Sequence, residues 1–303
     1  MSERGIDGPV VCVYHSADLD GHCSGAIMRL RFDALPDVTM VGHDYGQSFP
    51  YDVLRPECTL VMADLCIEPF AEEMPKIAAS VGRFIWIDHH KSAIEAHDAA
   101  GMELEGLRRI GSAACELTWE YLFGADMPDA VRLLGRYDVW DHAADERILP
   151  FQMGMWTLST RPDLPRSDDD VWPRLLGEHG TRETTGAVDS IVADGKVARR
   201  YVELQNRRTC ATSAFDTELD GLRALACNTN GASSRLFESV YDETRHDIMV
   251  PFCWTNGAWS FSVFTTHDHI DCSAIARKHG GGGHAKAAGF RSASIPFDLT
   301  GQP

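Results

Sequence analysis

Three short apolar runs of this chain end in residue types that bind metal ions. The run VVCVYH at residues 10–15 is followed by Asp18 and Asp20, TLVMAD closes on Asp64, and FIWIDHH closes on Asp88, His89 and His90. If these runs are strands of an open parallel sheet, their carboxyl ends share one edge, where such sheets bind ligands. His15, Asp18, Asp20, Asp64, Asp88, His89 and His90 would then meet in one crevice. Carboxylates gathered there repel one another and resist ionisation, and cations are the natural remedy. Mixed carboxylate and imidazole ligands suit manganese or a similar divalent ion, whereas the lack of thiolate ligands argues against structural zinc. Asp20 taken alone, just before Gly21, reads as a helix cap. The convergence of three runs favours the metal-binding reading. An extended strand would point Asp88 and His90 to one side and His89 to the other, so a turn must begin here.

These side chains need a frame. Apolar runs at 10–14, 38–41, 59–63 and 84–87 predict strands, and their continuous rather than alternating character predicts burial on both faces. Helical spacing is expected at 21–32, after Pro69, at 112–123 and at 129–140. A loop with two prolines and three consecutive acids covers 161–170. Val188, Ile191, Val192, Val197, Tyr201 and Leu204 predict a long helix from roughly 184 to 208, carrying the chain from one domain to the next. Beyond it, Asp220-Gly221 reads as a turn between two short strands, and residues 252–264 supply further strand. The fold class is therefore α/β. A parallel sheet flanked by helices occupies 1–206, and a smaller α+β domain with a mixed sheet occupies 215–303. Trp119 and Trp140 are assigned to helical apolar faces in the core, and Arg108 and Arg109 to solvent. His43 and Asp44 either border the crevice or simply end a strand.

With 45 acidic against 28 basic residues, the 303-residue chain carries a formal charge of -17. That disfavours a surface built to track a long duplex. No run approaches the roughly 20 apolar residues of a membrane span, and the polar start lacks the layout of a signal peptide, so a cytoplasmic protein is expected. The 9 cysteines are scattered and form no C-x-x-C pair; they read as small buried apolar residues. One segment runs against the overall charge. Between Cys272 and Phe297 there is no acidic residue, yet Arg277, Lys278, Lys286 and Arg291 lie there with His279 and His284 around a run of four glycines. Such an island calls for an anionic partner, and glycines allow backbone N–H groups to approach an oxyanion.

HSADLDG, the Asp of VMADLCIEP, DHHKS and the Asp of GRYDVWD resemble, in order, the four motifs of the DHH phosphoesterase superfamily. SAIARKHGGGGHAKAAGF resembles the glycine-rich signature of the DHH-associated C-terminal domain found in RecJ-like and nanoRNase-like members. The resemblance covers nearly the whole chain. It implies two divalent ions, manganese first with magnesium or cobalt as alternatives. One ion is held by His15, Asp18 and Asp64, the other by Asp20, Asp64, His89 and Asp138. Many relatives place one more residue between the first His and the first Asp, and Asp141, on the same helical face as Asp138, is its rival. The implied catalytic residues are His90, Asp64 and His89, and the implied substrate contacts are His90, Arg277, Gly281, Gly282, Gly283 and His284, the last reaching a phosphate across the domain cleft. Asp88 either orients a ligand imidazole or caps a helix. The implied activity is hydrolysis of short oligonucleotides or of linear or cyclic dinucleotides to mononucleotides by metal-activated water. The alternatives are a phosphatase on a small bisphosphorylated nucleotide such as phosphoadenosine phosphate and, in another class, a catalytically dead nucleotide-binding or scaffold protein. Neither long duplex nor membrane is an expected partner, and a homodimer is left open.

Overall fold

The computed structural model describes residues 6, 8–124, 126–177 and 186–299. It divides into two compact units, 1–198 and 199–303.

In the first unit, β1 (Val10–His15), β2 (Val38–His43), β3 (Thr59–Ala63) and β4 (Arg83–Ile87) form an all-parallel sheet in the order β2-β1-β3-β4. Alternation along each strand feeds two cores. Val11, Val13, Leu60, Met62 and Trp86 pack with residues of α2 (Phe70–Ala79) and α3 (Lys91–Ala100) on one face. Val10, Cys12, Tyr14, Val61, Ala63 and Ile87 pack with α1 (Leu19–Phe32) and α4 (Ala114–Phe123) on the other. A further core joins α1 and α4 to α5 (Asp129–Asp138), α6 (Ile148–Met155), α7 (Trp172–Leu176) and the start of α8 (Ala187–Ser213).

The expected strands and helices are present, with shifted ends. The helix expected over 129–140 stops at Asp138, and the one expected to end near 208 runs on to Ser213. Residues 184 and 185, where that long helix was expected to begin, lie outside the described residues. The division between the units falls within α8 rather than after it. No helix among the described residues is long and apolar enough to cross a membrane.

The second unit is a six-stranded mixed sheet in the order β5-β6-β7-β8-β10-β9: β5 (Ala214–Leu219), β6 (Leu222–Asn228), β7 (Ile248–Thr255), β8 (Ala258–Phe264), β9 (Gly282–Gly283) and β10 (Ala287–Ser292). Asp220-Gly221 and Asn256-Gly257 close its two tight hairpins with positive φ at both positions, the geometry of a type I′ turn. α9 (Cys272–Lys278) packs against the sheet through Cys272, Ile275 and Ala276.

One glycine decides how β1 is joined to α1. A Cβ on Gly21 would fall 1.9 Å from the carbonyl oxygen of His15, so the first turn of the helix rests directly on the end of the strand. Gly21→Ala should therefore cost about 1–3 kcal/mol by overpacking. Gly282→Ala, where the added carbon meets nothing within 4 Å, should stay within about 0.5 kcal/mol. Urea unfolding of both variants checks this, and wild-type stability for Gly21→Ala would contradict it.

Candidate metal centre

With strand order β2-β1-β3-β4, the chain leaves β1 toward one side and later returns on the other. The crevice between β1 and β3 is thus a topological switch point, the ligand-binding place of open α/β sheets. Pairing aligns Tyr14 with Ala63 and Ala63 with Ile87. The next residue on each strand is His15, Asp64 or Asp88, which is how three distant runs deliver one cluster.

Asp18 is the N-cap of α1. Its Oδ1 accepts from the Gly21 N–H at 2.8 Å, and its Oδ2 lies 2.8 Å from His15 Nδ1. Asp20, which taken alone would read as a cap of this helix, sits in its first turn and caps another one. Its oxygens accept from the N–H groups of Ala114 (2.8 Å) and Cys115 (2.7 Å), at the positive end of α4. Asp64 follows β3 with φ 65°, a left-handed conformation uncommon outside glycine. Its Oδ2 lies 3.6 Å from His15 Nδ1, and its Oδ1 lies 3.4 Å from His89 Nε2. The same His89 nitrogen is 3.6 Å from Asp20 Oδ2 and 3.3 Å from Asp138 Oδ2.

The structure thus brings together two groups that could each hold an ion: His15, Asp18 and Asp64, and Asp20, His89 and Asp138. Asp64 presents one oxygen to each. A third group, Asp64, Asp88 and His90, lies beside them. Asp88 does not cap α3, whose N-cap is His90, but it holds the turn before that helix and the His90 ring. Its Oδ1 accepts from the backbone N–H groups of His89 (2.7 Å) and His90 (3.0 Å) just ahead of α3, and lies 2.7 Å from His90 Nδ1.

Buried polar atoms ordinarily find partners, yet Asp64 Oδ2 and Asp138 Oδ2, one from each group, and Asp88 Oδ2 beside them are buried with no hydrogen-bond partner among the described residues. This nitrogen and oxygen donor set therefore fits a divalent cation in each.

Protonation shows the same tension. Burial pushes the Asp138 carboxyl up to about 7, Asp18 and Asp64 adding to the rise and His89 opposing it. Asp138 is also the last residue of α5, at the negative helix end, where a carboxylate is disfavoured. Asp20 is raised by burial and by Asp64 and Asp138. Burial acts against ionised Asp64 as well, but His15 and His89 outweigh it and hold that group below the usual carboxylate range. His89 is lowered by burial and raised more strongly by Asp64, Asp20 and Asp138, to about 11.

Two neighbours carried no decisive sequence signal. Asp44 Oδ1 lies 3.3 Å from His15 Nε2, which leaves Nδ1 facing Asp18 and Asp64, as a carboxylate behind a metal-binding imidazole does. Tyr45 sets its ring edge-on to His15 at 5.3 Å and to His90 at 6.4 Å. His43 is buried against Phe49 and belongs to the core. His22, unremarked in the sequence, contacts Thr160 Oγ1 at 2.8 Å and the Ser16 carbonyl at 3.0 Å, fixing the loop between His15 and Asp18.

Other expectations are corrected. Asp141 lies beyond the end of α5 rather than on the same face as Asp138, and its carboxylate is 3.7 Å from Arg136. Arg108 is half-buried rather than fully solvated: it donates to the carbonyls of Trp86 and Leu104, both at 2.8 Å, and lies over the Trp86 ring. Arg109 is exposed and pairs with Glu120. Trp119 is buried, but Trp140, at φ 63° past the helix end, is 47% exposed.

In the second unit, the basic island finds acids from neighbouring elements. Lys286 pairs with Asp268 at 2.8 Å, Lys278 and His279 lie 3.6 and 3.3 Å from Asp220, and Arg277 bonds Ser273 with Asp271 at 3.9 Å. Arg291 donates to the carbonyls of Thr255 and Asn256. The N–H groups of Gly280, Gly281 and His284 bond the carbonyls of Arg277, Ala276 and Ala287, so fewer are left for an anion than four glycines suggest. A Cβ on Gly281 would meet the Gly289 oxygen at 2.1 Å: close packing on β10 requires glycine there.

No family model matches the sequence, and no curated protein matches it. Solved structures do. A DHH domain from a protein described as belonging to a family of ribosomal proteins matches with TM-score 0.53 at 12% identity, over 93% of this chain and 82% of that one. An exopolyphosphatase-related protein from Bacteroides fragilis matches with TM-score 0.50 at 14% identity, over 95% and 88%. A pGpG-specific phosphodiesterase from Vibrio cholerae matches at 14% identity over 94% and 93%, with a TM-score of 0.48 that is too low to bear on the fold. At such identities the likeness concerns architecture. The chain has the fold of a DHH-domain protein.

A cation entering this centre must displace protons from Asp138, Asp20 and the raised imidazoles. Without metal, the raised Asp138 stabilises the fold below its unfolded pKa of roughly 4. That contribution is lost as pH rises through about 7. Added manganese should therefore raise the melting temperature more at pH 8 than at pH 5.5, against EDTA controls. An equal or smaller rise at pH 8 would contradict this.

Proposed function

We propose that this chain is a metal-dependent phosphoesterase that hydrolyses short oligonucleotides or dinucleotides to mononucleotides. The observation that carries the reading is the division of Asp64, one oxygen toward the His15 and Asp18 group and the other toward His89 and its carboxylates. On this reading His15, Asp18 and Asp64 hold one divalent ion, manganese by preference, and Asp20, Asp64, His89 and Asp138 hold the second. Two such ions would lower the pKa of a water and offset charge on the phosphate.

The chain's own residues supply position. Asp44 and Asp88 hold the imidazoles of His15 and His90, and His90, next to Asp64, is the proposed contact to a phosphate oxygen. No cysteine competes as nucleophile: eight of nine are buried, and burial pushes the thiols of Cys12, Cys66 and Cys115 up. Nine unpaired cysteines also support a reducing, cytoplasmic setting. In the second unit Arg277, Gly281, Gly282, Gly283 and His284 form the substrate grip. Exposed His284 is its proposed phosphate contact. A net charge of -17 favours short substrates, since a long strand would meet mostly acidic surface.

Mass spectrometry of products from a dinucleotide, a short RNA and a phosphoadenosine phosphate, each incubated with manganese, tests the activity. Mononucleotides from the first two support the proposal, and loss of a single phosphate from the third alone contradicts it. In the same assay Asp64→Ala should lose at least about a hundredfold in rate, whereas His284→Ala should raise KM with bound manganese unchanged.

A further inference from the structure

The long helix α8 carries an outward stripe that neither the core nor the metal centre uses. One face of its C-terminal half is occupied. Asn206 donates to the Arg235 carbonyl, Cys210 donates to the Leu236 carbonyl, and Glu203 joins Arg199 and Arg235. Two residues along, about 200° around the helix, Tyr201 is 64% and Leu204 46% exposed, and Val197 continues the line at 58%. Exposed aromatic and branched side chains in a row are not the default of a solvated helix surface.

The ends of the stripe are charged and opposite. Asp194 lies seven residues before Tyr201 and Arg208 seven after, both exposed, and neither makes an ion pair among the described residues. The positions 194, 197, 201, 204 and 208 alternate steps of three and four, the spacing of a coiled-coil seam. Read from Tyr201 outward, the stripe is a palindrome with inverted charge: acid, apolar, Tyr, apolar, base. Laid antiparallel on itself, it places Tyr201 on Tyr201, Val197 near Leu204, and Asp194 against Arg208 at both ends. A parallel arrangement would set Asp194 on Asp194 and Arg208 on Arg208.

We propose that this face of α8 binds a second copy of the same chain, antiparallel and two-fold symmetric. An isologous contact of this kind closes at two copies and leaves no free seam for a third. The apolar centre supplies attraction and the charged ends set direction, the division of roles usual for helix pairs. The overall charge of each copy opposes association, so moderate salt should favour the dimer by screening the long-range repulsion more than the contacts at the seam.

Sedimentation of the full chain tests this, at about 50 μM, well above a micromolar dissociation constant. The wild type should be a dimer. Tyr201→Glu should be a monomer with an unchanged circular dichroism spectrum, and should melt with the wild type at concentrations too low for the dimer, because the side chain is exposed. Asp194→Arg and Arg208→Asp should each raise the dissociation constant at least tenfold, and the two together in one chain should restore it, since the pairing is then only reversed. A monomeric wild type, a dimer indifferent to Tyr201→Glu, or a double variant no better than the single ones would each overturn the proposal.

Discussion

One imidazole nitrogen, His89 Nε2, has carboxylate oxygens of three aspartates within 3.6 Å. Like charges so close, with oxygens buried, cannot all be ionised at neutral pH without positive charge among them. Asp138 is pushed up to about 7 and Asp20 is raised as well. Much of the first unit can be read as the apparatus that holds these groups together in spite of this.

A parallel sheet suits that task. All four strands end at one edge, and the helices that follow begin there, with unpaired N–H groups and positive dipole ends. Asp18 uses the start of α1, Asp20 the start of α4, and Asp88 the N–H groups ahead of α3. Two carboxylates have no such support. Asp138 closes a helix at its negative end, and Asp64 sits on a left-handed residue between two histidines. Each carries a buried oxygen that lacks a hydrogen-bond partner, as does Asp88 beside them. Backbone N–H groups thus compensate Asp18, Asp20 and Asp88, whereas Asp64 and Asp138 lack that compensation.

The strand runs and their terminal His and Asp residues were legible because parallel strands buried on both faces write continuous apolar runs, and a ligand at a strand end interrupts them abruptly. Helix ends were harder to read. Val139 and Trp140 continue the apolar spacing of α5, yet the helix stops at Asp138, which puts Trp140 in solvent and takes Asp141 off the helix. Arg108 looked solvated because nothing local shows that the carbonyls of Trp86 and Leu104 await a donor. In the glycine-rich segment the lack of acids is a property of the sequence run, whereas Asp220, Asp268 and Asp271 arrive from outside it. Asp44 follows the second run as Asp64 follows the third, but only the structure shows it behind His15.

The central claim is that Asp64 joins two cation sites in one centre. Electron paramagnetic resonance of the metal-free protein titrated with manganese tests it most directly. The account predicts two ions per chain and a spin-coupled spectrum, because a single carboxylate shared by both ions holds them close; in Asp64→Ala the coupling should vanish. One ion per chain, or two with the spectrum of isolated manganese, would contradict the account.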